Sequence, residues 1–99
     1  MKENRLVGIN KLIHEPARLN IMANLFVVES ADFLFLKRQT GLSDGNLSSH
    51  LSKLEKAGYV EIKKEFVERK SHTMIRLSRK GRDSFKDYTK KMKQVFREL

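Results

Sequence analysis

Ser43-Asp44-Gly45-Asn46-Leu47-Ser48-Ser49-His50-Leu51-Ser52-Lys53-Leu54-Glu55-Lys56-Ala57-Gly58 is the stretch on which the fold turns. Ser43 is a helix N-cap, because its hydroxyl can accept from a first-turn N–H that has no partner within the helix. Asp44 places negative charge at the positive end of the helix dipole. Leu47, Leu51 and Leu54 recur at four- and three-residue steps and so share one face. Gly58 supplies the left-handed residue that commonly ends a helix. The opposite face carries Asn46, Ser49, Ser52, Lys53 and Lys56, which are short polar groups and cations. A face that meets only solvent usually mixes acids with bases. This one carries groups that can reach base edges or phosphates without repelling DNA.

The flanks give that helix its setting. Upstream, Leu6, Ile9, Leu12 and Ile13 have helical spacing and predict a short amphipathic helix over 5–14. Glu15-Pro16 interrupts it, and Pro16 suits the first position of a second helix. Ile21, Met22, Leu25 and Phe26 would form the buried face of that helix, which fades by Glu29. Ser30-Ala31-Asp32 reads as a turn, with Asp32 capping a third helix from Phe33 to Thr40. There Phe33 and Leu36 suffice for a core stripe. Leu34 and Phe35 are surplus, and packing on the first helix or a second subunit is preferred to a role as the wall of an effector pocket. Thr40-Gly41-Leu42 is a tight turn into Ser43. Helix, short glycine-containing turn, helix is the unit whose second member can enter a DNA major groove.

After Gly58 the period changes to two. Val60 and Ile62 alternate with charged residues, as do Thr73, Ile75 and Leu77 with Met74 and Arg76, which predicts two strands of a hairpin. The connection between them is placed at Val67-Glu68-Arg69-Lys70-Ser71-His72. Its tip, Arg69, Lys70, Ser71 and His72, suits contact with phosphates or a minor groove. Ser78 then caps a last helix in which Phe85, Tyr88, Met92, Val95 and Leu99 recur at three- and four-residue steps, with Phe96 beside them. Each large apolar side chain stabilises by roughly 1.5–3 kcal/mol when fully buried, so a long stripe of them calls for a cover. Pairing with a second copy, together with Leu6, Ile9, Leu12 and Ile13, is preferred to a membrane surface.

Charge and composition narrow the function. The 99 residues suit one domain. Lys and Arg number 21 against 12 Asp and Glu, a net of +9. Residues 1–58 hold eight bases and six acids, whereas residues 59–99 hold thirteen and six, so the excess is concentrated late in the chain. That asymmetry points to a polyanionic partner. There are no cysteines, which excludes disulfides and thiolate metal sites. No run approaches the ~20 apolar residues of a membrane span, and no signal peptide is visible, so a cytoplasmic location is expected. Nucleophile elbow, phosphate-cradling glycine loop and metal-ligand spacing are all missing from the sequence, so no enzyme, cofactor or metal is expected. His14, His50 and His72 are scattered. A buried or phosphate-touching role suits His50 better than a general base.

Taken in order, His14-Glu15-Pro16-Ala17-Arg18-Leu19-Asn20-Ile21, Thr40-Gly41-Leu42-Ser43 with Asn46 through Val60, and Thr73-Met74-Ile75-Arg76-Leu77-Ser78-Arg79-Lys80-Gly81 resemble the signatures of winged-helix transcription regulators of the ArsR/MarR superfamily. The resemblance spans about His14 to Gly81. It implies an α+β, mostly helical fold: a winged helix-turn-helix with a two-stranded β-hairpin wing and N- and C-terminal dimerisation helices. A single domain is expected over 1–99, with its core at 15–81 and dimerisation helices at 5–14 and 82–99. The implied function is sequence-specific binding of double-stranded DNA by a homodimeric transcription regulator on a pseudo-palindromic operator. The helix at 43–57 would enter the major groove and the wing at 67–72 the minor groove. Candidate DNA-binding residues are Ser43, Asn46, Ser48, Ser49, His50, Lys53, Arg69, Lys70, Ser71 and His72. Candidate dimer residues are Leu6, Ile9, Leu12, Ile13, Phe85, Tyr88, Met92, Val95, Phe96 and Leu99. The paired cysteines of metal-sensing members are absent, and the chain is shorter than typical MarR-type repressors. A small-molecule effector is therefore compatible with the sequence but not indicated by it. The alternative is a winged-helix protein-interaction module or subunit of a larger complex.

Overall fold

The computed structural model describes residues 5–99. Its elements are α1 (Pro16–Val27), β1 (Ala31–Asp32), α2 (Phe33–Thr40), α3 (Asp44–Lys56), β2 (Val60–Val67), β3 (Lys70–Leu77) and α4 (Arg79–Arg97). The strands form one antiparallel sheet in the order β1-β3-β2. The winged helix-turn-helix expected from the sequence is the fold observed.

Each helix begins where its capping chemistry places it. The Glu15 carboxylate accepts from the N–H groups of Ala17 (3.2 Å) and Arg18 (3.0 Å), and Pro16 opens α1. Asp32 accepts from Phe35 N–H at 2.7 Å, and Ser43 from Asn46 N–H at 3.1 Å. At the far end of α3, Tyr59 N–H donates to the Leu54 carbonyl and Gly58 N–H to the Glu55 carbonyl, both at 2.9 Å. That pair is the Schellman closure, and it needs Gly58 at φ +79°, where a side chain would be strained. Ser78 caps α4, donates to the Gly58 carbonyl, and accepts from Gly81 N–H at 2.9 Å. Gly81 itself is required by proximity: a Cβ there would stand 2.0 Å from the Tyr59 carbonyl oxygen.

The core joins all these elements. Ile13, Ile21, Met22, Leu25, Leu36, Leu47, Leu54 and Ile75 are fully buried at its centre. Helix α1 packs against α2, α3, α4 and β3, so it is the spine that fixes the others. Phe26 and Phe85 meet with ring centroids 5.2 Å apart, joining α1 to α4.

The structure departs from the sequence reading at four places. Residues 5–14 form successive turns, not a helix. Gly8 lies at φ +83°, and the Asn10 side-chain oxygen accepts from Leu12 N–H (3.0 Å) and Ile13 N–H (3.1 Å), a local turn that competes with helix. Ala31 and Asp32, read as a turn, form β1, pairing with Ile75 and Met74, so the sheet has three strands and not two. The hairpin closes in two residues, Glu68 and Arg69, with Val67 opposite Lys70; Lys70, Ser71 and His72 therefore belong to β3, not to a loop. Finally, Ile9, Ile13, Phe85 and Tyr88, read as dimer contacts, are buried in this chain's own core, and Leu12 and Met92 pack against it. The segment before α1 folds back along α4 from Tyr88, which His14 meets, to Glu98, which pairs with Arg5, while Phe26 of α1 covers Phe85.

Candidate nucleic-acid interface

Helix α3 is held on three sides and open on the fourth. Leu47, Leu51 and Leu54 anchor it to the core. Lys37 of α2 pairs with Asp44 at 2.8 Å across the turn. An exposed pair of this kind adds little stability, but it neutralises the acid nearest the helix start. On the outward side, Asn46, Ser49, Lys53 and Lys56 follow one another at three- and four-residue steps, and all are exposed. Gly45 and Ser52 lie among them, and a Cβ at Gly45 would meet nothing within 4 Å. A surface could therefore approach the first turn of α3 down to its backbone.

Behind that face lies a polar cluster made by α1. Arg18 donates from Nε to the Leu12 carbonyl at 2.6 Å and from Nη1 to His50 Nδ1 at 3.2 Å. A guanidinium has only donors, so Nδ1 is the acceptor there. Burial pushes the Glu15 carboxyl up, but the Arg18 and Ala17 N–H groups and the nearby guanidinium of Arg18 outweigh it, holding the carboxyl below its usual range. Glu15 Oε1 lies 3.8 Å from His50 Nδ1. His50 is thus turned inward, toward α1, and locks the roll of α3 about its own axis. On the far side of this region His14 Nδ1 meets the Tyr88 hydroxyl at 2.7 Å, and burial raises the pKa of that phenol so that it keeps its proton.

The structure sorts the sequence-derived candidates. Asn46, Ser49 and Lys53 share the open face. Ser48 is exposed on a different flank, near Asp44 and Glu55, while the Ser43 oxygen is engaged as the cap. Arg69 sits at the hairpin tip, and Lys70 and Ser71 are exposed just inside it. His72 lies nearer the body, with Nδ1 3.7 Å from Asp32 Oδ2 of β1. Cross-strand partners share a sheet face, so Lys64/Thr73 and Phe66/Ser71 continue the face whose inner pairs, Val60/Leu77 and Ile62/Ile75, pack on the core. The sequence reading passed over Phe66, which is 80% exposed on this overhang, although two-residue alternation from Val60 leads directly to it. Arg38, exposed beside the turn into α3, was also passed over. Leu34 stands beside it, 60% exposed, at an open depression with Lys37, Gly41 and Leu42, whereas Phe35 packs on the core.

Among the described residues no group of His, Cys, Asp and Glu could hold a metal ion, and no helix is long and apolar enough to cross a membrane.

Known proteins share both sequence and shape with this chain. A family model described as the winged helix DNA-binding domain matches residues 17–96. The protein MJ0432 of Methanocaldococcus jannaschii is 37% identical over 89 residues, covering 90% of this chain and 97% of its own length. A transcriptional regulator homologue from Pyrococcus horikoshii OT3 superposes with a TM-score of 0.86 at 29% identity, covering 91% of this chain and 89% of that one. A MarR-family transcriptional regulator from Silicibacter pomeroyi superposes at 0.69 with 18% identity, covering 93% of this chain and 61% of that one, a likeness of fold. With the family match spanning α1 to α4 and including the capped α3 and its hairpin, the chain belongs to the winged helix DNA-binding domain family.

Proposed function

We propose that the protein is a homodimeric transcription regulator that binds a pseudo-palindromic operator, with α3 in the major groove and the hairpin at the adjacent minor groove. The observation that carries this reading is the open face of α3: hydrogen-bonding and cationic side chains only, on a helix whose ends and roll are fixed. Asn46 and Ser49 would read base edges, since an amide can bond a base in two places at once. Lys53, Lys56, Arg69 and Lys70 would contact phosphates, which position the protein without reading sequence. Regulation would act by occupancy, the bound dimer blocking or guiding polymerase at a promoter.

The dimer rests on apolar surface that the chain leaves uncovered. Val7, Phe96 and Leu99 are 76%, 62% and 87% exposed and lie toward one end, where Arg5 pairs with Glu98. Val7, Ile9 and Val95 line a groove between the first turns and the end of α4. A second copy would cover Val7, Val95, Phe96 and Leu99. The exposed Leu34 favours a second reading, docking onto another protein through the α2 surface. Light scattering on the full chain separates the two: a stable dimer supports the regulator, and a monomer that needs a partner supports the docking module. Anisotropy with Asn46→Ala and Lys53→Ala on an operator and on random duplex tests the DNA contacts. Asn46→Ala should narrow the gap between the two duplexes, and Lys53→Ala should weaken both alike. Equal loss on both duplexes from both variants would refute the assignment of reading to α3.

A further inference from the structure

The charge of this domain and its helix-turn-helix point to different elements. Helix α3 carries two lysines, one aspartate and one glutamate, a net of zero. Helix α4 carries eight cations against two acids, a net of +6. The eight cations divide cleanly. Lys80 lies over the Tyr59 ring at 5.7 Å, Arg82 over the Phe26 ring at 4.8 Å, and Lys91 pairs with Asp87 at 3.2 Å. The other five, Arg79, Lys86, Lys90, Lys93 and Arg97, are exposed and enter no ion pair or ring contact among the described residues. Their steps of seven, four, three and four residues place all five on one face of the helix. At 1.5 Å per residue the row is about 27 Å long. Asp83 flanks its first turn, and from Lys86 onward no acid lies on it. Like charges at three- and four-residue steps destabilise a helix in isolation, so this row is suited to a polyanion laid along it.

The row is opposite the face that carries Phe85 and Tyr88, both buried against the body of the domain. That burial removes the apolar side a membrane-surface helix would insert over the first half of α4, leaving only Phe96 and Leu99 exposed near its end, and it turns the basic row away from the core on which α3 is seated. We propose that the outer face of α4 is a second DNA-binding surface, which takes the phosphate backbone of another duplex segment without reading sequence, so that a dimer bound through α3 bridges two duplexes. The inference rests on the proposed DNA-binding dimer, which supplies the first duplex and the identity of the polyanion.

The test uses the full-length protein, a short biotinylated operator duplex and a second, fluorescent duplex of unrelated sequence. The variants are Lys86→Gln/Lys90→Gln/Lys93→Gln and, separately, Asn46→Ala/Lys53→Ala, each checked for folding by circular dichroism. Wild-type protein should retain the fluorescent duplex on the beads. The triple variant should lose that capture at least tenfold while its affinity for the single short operator changes less than twofold. The α3 variant should lose its preference for the operator and retain weakened binding to unrelated duplex through the α4 row. No capture by wild type, or capture that survives the triple variant, overturns the bridging surface. A fall in operator affinity with the triple variant, with the salt slope reduced by about three, would put α4 on the same duplex as α3 and overturn it as well. Preference of the row for phosphatidylserine vesicles or polyglutamate over duplex would overturn its assignment to DNA. Failure of wild type to bind any duplex would instead remove the α3 reading, and with it the bridge.

Discussion

Asn46 and Lys53 stand seven residues apart on the same open face, yet their chemistry suits them to different contacts under the proposed function. An amide is directional, and a wrong base leaves it with an unmet partner, so Asn46→Ala should cost about 1–3 kcal/mol of discrimination at one base pair. An ammonium recognises charge, so Lys53→Ala should lower affinity on all sequences and reduce the salt slope by about one. The Glu15 cap yields a pH prediction. Its carboxyl is held below the usual carboxylate range in the folded state. The stability it contributes is thus present above the unfolded-state pKa and is lost as pH falls through the lower folded value. Chemical denaturation followed from pH 7 downward should show that loss, and Glu15→Gln should flatten it; a slope unchanged by the substitution would contradict the assignment. Packing is strictest at Gly81. Gly81→Ala forces a methyl against the Tyr59 carbonyl oxygen, and a clash with backbone on this scale should cost about 3 kcal/mol or more, lowering Tm by more than ~10 °C. His50 shows how far residue-level reading reaches. Its place beside the leucine face was plain from spacing, but Arg18 and Glu15 lie 32 and 35 positions earlier, and only the packing of α1 on α3 brings them together.

At the level of elements, what was legible followed from local chemistry, and what was missed depended on contacts distant in sequence. Asp32, Ser43 and Ser78 announce their helices, since each cap is settled within three residues. Strand β1 could not be read this way. Two residues have no period, and Ala31–Asp32 is extended only because β3, more than forty residues later, offers it an edge. The segment before α1 has the apolar spacing of a helix, but Asn10 bonds its own turn and donates to the Tyr59 hydroxyl at 2.8 Å. The tip of the wing was misplaced for a related reason. Two-residue hairpin turns favour Asn and Gly because both central residues have positive φ. Here Glu68 and Arg69 occupy those positions at +52° and +67°. A strained non-glycine residue of this kind costs of order 1–3 kcal/mol. Glu68→Asn should accordingly raise Tm by several degrees, about 4–8 °C per kcal/mol recovered in a domain of this size, without weakening DNA binding. Arg69→Gly should stabilise the hairpin and weaken DNA binding together. A rise in affinity with Arg69→Gly would remove the tip from the interface.

Across the whole molecule, a helix α3 of zero net charge, a hairpin with Glu68 and Arg69 at its tip and a strongly basic last helix are fixed on one small core. The molecule is elongated, with extents of 60 × 25 × 21 Å. The sequence disclosed the charge asymmetry and the order of the elements. It did not disclose which apolar residues close the core and which stay outside, because Phe85 and Tyr88 have the same spacing as Val95, Phe96 and Leu99 and differ only in what folds over them. The uncovered end is where a second copy would dock, and the dimer would set the distance between two α3 helices. That distance is written into any DNA the protein selects. Selection of binding sites from random duplex DNA by the full chain is therefore the most direct test. Enrichment of two inverted half-sites with centres about 10 bp apart is the expected result, and a single unrepeated site, or no consensus at all, would contradict it.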